Sequence, residues 1–161
     1  MTTPTFPEKQ KMPLPAFVLA GAASFPLTTL ASMIWMGIII PGIDNKYTLM
    51  IYAAIVLTFM SAVHWGLAML VTGLGQPGRW GHATEWRRYT ASFVPALFAW
   101  IGLLVPEKAG AWVMIAAYAG MTFYDYRCAQ AGEAPSWFML LRVPVTVAAV
   151  LSLLAGIVLL S

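Results

Sequence analysis

Two groups of residues in this chain have side chains able to do chemistry in otherwise apolar surroundings. The first lies in "FMSAVHWGLAML", Phe59 to Leu70, where His64 is followed by Trp65 and Gly66. An imidazole can carry a proton, contact a solute or ligate a metal. In such a cavity Trp65 would form a wall and Gly66 would make room. The second group is Asp125 and Arg127 in "FYDYRC" together with Arg142 in "WFMLLRVP". A carboxylate and a guanidinium brought together at membrane depth offset part of the few-kcal/mol cost of placing each there.

The elements that must carry these residues follow from composition. Of 161 residues, 60% are hydrophobic and 9% charged, whereas soluble domains carry about 25% charged residues. So few charges cannot solvate a water-facing surface, and a polar stripe at helical period is absent. The charge-free runs are Met12 to Ile43, Tyr47 to Gly78, Tyr89 to Pro106, Ala109 to Tyr124 and Val143 to Ser161. At about 20 residues per span, they predict an all-α integral membrane protein, a single bundle of five transmembrane helices. The expected helices are about 14–40, 47–74, 87–105, 109–127 and 137–160, in one domain over 13–161 behind a polar tail at 1–12. The first run is too long for a signal peptide and is read as a retained anchor.

Orientation follows from lysine and arginine. Lys9, Lys11, Arg79, Arg87, Arg88, Arg127 and Arg142 fall at one end, and only Lys46 and Lys108 at the other. The positive-inside rule places the first end, with the N-terminus, in the cytoplasm and the C-terminus outside. The net charge of +3 is then met by anionic lipid headgroups and calls for no nucleic acid. "PGIDNK" and "PEKAG" read as tight outer turns with proline stops. Thr84 and Ser136 are the expected N-caps of helices three and five, with Glu85 in the first turn of helix three. Trp35, Trp80, Trp86, Trp100, Trp112 and Trp137 fall near the expected interfaces, as an aromatic belt.

Pro26, Pro95 and Pro144 interrupt helical runs. Small residues recur at every fourth position in helix one (Ser24, Thr28, Ser32) and helix five (Ala148, Ser152, Gly156). Shorter rows occur in helix two (Ala62, Gly66) and helix four (Ala116, Gly120). Such rows serve packing within the chain or a dimer face.

From His64 to Gly75 is 11 residues, about 16 Å at 1.5 Å per residue, which puts the imidazole near the midplane of a ~30 Å hydrocarbon core. Burial keeps an imidazole neutral unless a carboxylate is close. No carboxylate lies within the five apolar runs, so the sequence offers His64 no obvious partner. Three roles stay open: a packing residue bonded to a carbonyl or to Thr28 or Ser61, a proton-carrying or solute-contacting group, or a cofactor ligand. His82 and Cys128 show no ligand spacing with it, so no metal site and no cofactor are expected. For Asp125 and Arg142 the expected role is a clasp of the last hairpin, with Arg127 snorkelling to headgroups. No nucleophile–base pair, phosphate loop or carboxylate pair suggests an enzyme.

"YAAIVLTFMSAVHWGLAM", "SFVPALFAW" and "YDYR…APSWFMLLRVPVTVAAVLSL" together resemble the transmembrane protein 69 family, which shares a domain of unknown function (number 3429). The resemblance runs from about Pro13 to Leu154, and its most specific pieces are His64-Trp65-Gly66, Asp125 and Arg142. It implies a small multi-helix membrane protein and supplies no chemistry. The short loops and the lack of an arginine-rich amphipathic leader point to a bacterial member in the inner membrane. Two functions are then expected. One is a non-enzymatic accessory or assembly component of a larger membrane complex or homo-oligomer. The other is a small channel or proton-linked transporter for a neutral or weakly charged solute, using His64.

Overall fold

A computed structural model describes residues 11–73 and 81–158, with side chains described for 11–69 and 86–157. Among the described residues five α-helices follow one another: α1 (Leu14–Trp35), α2 (Asn45–Gly73), α3 (Gly81–Leu104), α4 (Glu107–Gln130) and α5 (Phe138–Leu153). A single π-helical turn, Leu154–Val158, continues α5. No strand occurs among the described residues. The helices close a ring in which α1 packs on α2 and α5, α3 on α2 and α4, and α4 on α5, with α2 also touching α4 across the middle. Among the described residues three segments are long and apolar enough to cross a membrane: Leu14–Trp35, Asn45–Met69 and Phe138–Ile157.

The helix ends have local causes. α1 stops five residues earlier than its apolar run suggests. Gly37 takes φ 67°, its N–H bonds the Ile34 carbonyl, and the Ile38 N–H bonds the Met33 carbonyl. That pair of bonds is a Schellman motif, which a residue without Cβ completes at least cost. The expected proline stop at Pro41 is therefore not what ends α1. Pro41 and Gly42 instead form the centre of a turn closed by the Ile43 N–H on the Ile40 carbonyl, with Gly42 at φ 81°, the pattern of a type II turn. Asp44 then caps α2, accepting the Lys46 and Tyr47 N–H groups at 2.9 and 3.1 Å.

Two expected caps change. α3 begins at Gly81, so Thr84 lies inside the helix and cannot be its N-cap; the side chains of His82, Thr84 and Glu85 lie outside the described ones, as does all of Trp80. The N-cap of α5 is Trp137, not Ser136, and no side chain caps it. The Pro135 carbonyl accepts the Phe138 N–H there at 3.0 Å, so a backbone turn does the work of a cap.

The core is built from small and flexible residues, including Leu27, Leu49, Ala53, Leu57, Ala111, Met114, Ala149 and Leu153. Of the small-residue rows, Ser152 of α5 and Gly156 of the π-helical turn are buried, whereas Thr28, Ser32, Ala62, Gly66, Ala116 and Gly120 are exposed. The α1 hydroxyls bond their own helix, as with Ser32 on the Thr28 carbonyl at 2.8 Å. Trp35, Trp100 and Trp112 are exposed near one end of the bundle and Trp86 at the other.

The tightest helix contact is between α3 and α4 next to their connecting turn. A Cβ placed on Gly110 would sit 2.0 Å from the Gly102 carbonyl oxygen and 2.8 Å from Met50 Cε. A carbonyl in a helix cannot step aside, so the helices must separate. Gly110→Ala is accordingly expected to cost about 1–3 kcal/mol, the range for overpacking, seen as a lower thermal midpoint in mild detergent. An unchanged midpoint would mean that α3 and α4 do not approach this closely.

Candidate functional site

α4 presents one polar column. Tyr118, Thr122 and Asp125 are spaced four and three apart and so share a face. The Tyr118 hydroxyl donates to the Ala53 carbonyl of α2 at 2.7 Å. The Thr122 and Thr146 hydroxyls meet at 2.8 Å, joining α4 to α5. Asp125 completes the column and serves both neighbours. Its Oδ1 accepts from His64 Nε2 of α2 at 2.5 Å, and its Oδ2 forms an ion pair with Nε of Arg142 of α5. The side-chain exposures are 0% for His64 and Asp125 and 4% for Arg142.

The two groups singled out in the sequence are thus largely one site. The expected Asp125–Arg142 pair is present, and His64 is its third member. This corrects the reading that His64 has no carboxylate to meet: Asp125 lies within α4, five residues before its end. It also corrects the separate depths given to the two groups, since side chains in contact share one depth. The Thr28 and Ser61 hydroxyls do not bond the imidazole, since each is turned to a carbonyl of its own helix.

Of the His64-Trp65-Gly66 triplet only His64 points inward. Trp65 is half exposed and packs edge-on against Tyr89 of α3, 5.0 Å between centroids. Gly66 has open space beyond its Cα. Successive helix positions are 100° apart, so three in a row cannot all line one buried cavity. Arg127 is exposed and does not join the triad.

Chemically, the triad is a chain of charge-assisted bonds. With a carboxylate at Nε2, the imidazole carries a proton on that nitrogen. Nδ1 is buried with no partner among the described residues, as is Arg142 Nη2. The Arg142 guanidinium also lies 5.9 Å from the Phe138 ring centroid, a cation–π contact. Tyr124 packs edge-on to His64 at 4.9 Å. Its other side borders a cleft of about 800 Å³ between α3 and α4, so one aromatic ring lies between the triad and that cleft.

A second cluster went unnoticed in the sequence. Glu133 receives Arg87 Nη2 at 3.0 and 2.9 Å and Arg88 Nη2 at 3.0 Å. Arg88 also donates to the Glu133 carbonyl at 3.2 Å. The carboxylate is positioned by another Schellman end: Gly132 takes φ 70°, and the Glu133 N–H closes on the Cys128 carbonyl at 2.9 Å. The available signal was a lone acidic residue just after "QAG" and an arginine pair near the start of α3. Among the described residues no group of His, Cys, Asp and Glu could hold a metal.

Residues 12–158 match the family described as protein of unknown function (DUF3429). The chain belongs to this family. It is also 34% identical over 108 residues to transmembrane protein 69 of Xenopus tropicalis, covering 66% of this chain and 40% of that protein. The chain therefore spans about two-fifths of the length of that relative. No solved structure matches it. For DUF3429, the apolar helices and this relative together support a membrane protein built as a helix bundle.

Proposed function

We propose that this DUF3429 protein spans a bacterial inner membrane five times, with its N-terminus in the cytoplasm, and acts as a non-enzymatic accessory or assembly component of a membrane complex. α3 and α4 supply the two further spans. Each has 24 residues, about 36 Å, and their charges gather toward the helix ends. The observation that carries the functional reading is that the buried ionisable groups close on one another. His64, Asp125 and Arg142 consume their charge in tying α2, α4 and α5 together, so the triad serves rigidity rather than turnover. The exposed Thr28 and Ser32 on α1 leave a face that another helix can approach closely.

A second reading, a proton-linked carrier, is favoured by one observation: the unpartnered Nδ1 of His64 lies one tyrosine ring away from the α3–α4 cleft. One experiment separates the two. Reconstituted into sealed vesicles, the protein is expected to leave proton permeability at the level of empty vesicles. In native membranes, cross-linking is expected to trap it in a higher-mass complex that His64→Gln leaves intact. Proton flux that depends on the protein and is abolished by His64→Gln would replace the accessory reading with the carrier.

A further inference from the structure

α3 and α4 are as long as the other helices, yet each is apolar over a shorter stretch. In α3 the helical part free of charge runs from Tyr89 to Leu104, 16 residues or about 24 Å. In α4 it runs from Ala109 to Tyr124, again 16 residues and about 24 Å. Both fall short of a ~30 Å hydrocarbon core. The aromatic anchors report a similar height. Trp86 and Trp100 are exposed on α3, as are Trp112 and Tyr126 on α4. The members of each pair are 14 positions apart, about 21 Å, and such rings settle at the two headgroup boundaries.

α1 differs. Its 22 residues, Leu14–Trp35, carry no charge and cover about 33 Å. Among the described residues α1 touches neither α3 nor α4, so the long and short faces lie on opposite sides of the ring. A face that is too short for the bilayer is matched by snorkelling side chains, by association or by thinning the bilayer. Arg87 is not free to snorkel, since its Nη2 donates to both Glu133 oxygens at 3.0 and 2.9 Å. Its guanidinium is also held 5.8 Å from the Tyr124 ring centroid. At the opposite end the chain turns at Pro106, and the exposed Glu107 has only a short stem. Neither end therefore recovers the missing ~6 Å.

We propose that the bilayer beside α3 and α4 is thinned to about 24 Å of hydrocarbon and that this face selects phospholipids with short acyl chains. The α1 face borders bilayer of ordinary thickness. The inference rests on the reading that α3 and α4 span the membrane. A protein of this shape stands as a wedge, with lipid of two different lengths on its two sides.

The test uses the full chain with Cys128→Ala, or Cys128→Ser if Cys128→Ala lowers the thermal midpoint. A fluorophore is attached at Phe93→Cys on α3 or at Phe25→Cys on α1, both exposed positions. Each protein is reconstituted in oleoyl phosphatidylcholine mixed equimolar with brominated phosphatidylcholine of myristoleoyl or oleoyl chains. Quenching is normalised to that in each brominated lipid alone. The myristoleoyl lipid is expected to be enriched about twofold at Phe93, at a fraction of a kcal/mol per Å of mismatch, and not at Phe25. Equal quenching by the two lipids at Phe93 would overturn the proposal, as would the same enrichment at both positions. Quenching at Phe93 by neither lipid shows a second copy of the chain over this face and also overturns it. An impermeant maleimide on Ala109→Cys and Ala131→Cys, exposed near the two ends of α4, tests the underlying reading in sealed vesicles. Labelling from opposite sides keeps the span, so that a negative quenching result removes the thin face alone. Labelling of both from one side removes the span and the proposal together.

Discussion

Asp125→Asn is expected to be the most damaging single substitution, with a loss of about 3–5 kcal/mol, the range for breaking a buried ion pair by removing one partner. The amide retains an oxygen that can accept from His64, but it carries no charge to balance Arg142, which is 4% exposed. A thermal melt in mild detergent, monitored by helical signal, reads the loss. The physical account makes a sharper demand of the double variant. Asp125→Leu combined with Arg142→Met removes both charges together, and replacing a whole buried pair by apolar side chains is often neutral. Most of the loss should therefore be recovered, giving a coupling energy of several kcal/mol, well above the 0.3–0.5 kcal/mol scatter expected of independent sites (roughly). Additive effects of the two substitutions would show that Asp125 and Arg142 are not paired in the folded protein.

The second large effect is expected at Glu133. Glu133→Gln removes the charge that Arg87 and Arg88 share, and the two arginines do not contribute equally. The Arg87 contact is half exposed and is worth about 0–1 kcal/mol. Arg88 has no exposure, so its side of the cluster dominates and the total is expected at about 3 kcal/mol or more. Arg88→Gln should cost less, because it removes the buried cation and leaves Glu133 still bonded to Arg87. Hydrogen exchange at 131–137 provides the local readout, since Glu133 ties this connection to the start of α3. Faster exchange is expected in Glu133→Gln and partial protection in Glu133→Asp, whose carboxylate stops one methylene short. If Glu133→Gln exchanges like the parent, backbone turns alone hold the α4–α5 connection.

Much of this architecture was legible in the residues. The long apolar runs showed where helices lie, and the charges between them marked most of the boundaries. The Asp125–Arg142 pair was legible because α4 and α5 are joined by a short connection, so their facing ends must meet. His64 was not legible in the same way, since its partner is 61 residues away and sits in a segment whose charges had been assigned to the membrane edge. Gly37 was hidden for a different reason. Ile38, Ile39 and Ile40 continue the apolar run beyond it, and hydropathy does not register a glycine's left-handed φ. Glu133 was hidden in a loop, where one acidic residue carries no periodic signal.

The sequence by itself therefore determined the solvent this chain is built for, its division into helices and the end at which its positive charge collects. Those are properties summed along a segment, and each segment carries them wherever it packs. Tertiary structure alone decided that His64 faces inward while Trp65 and Gly66 face out. It also decided that one carboxylate serves both α2 and α5, and that α3 and α4 meet at one end and part at the other. These features depend on the rotation and axial register of each helix. Between apolar helices in lipid, rotation and register are set by close contacts such as Gly102 on Gly110 and by buried bonds such as His64 on Asp125.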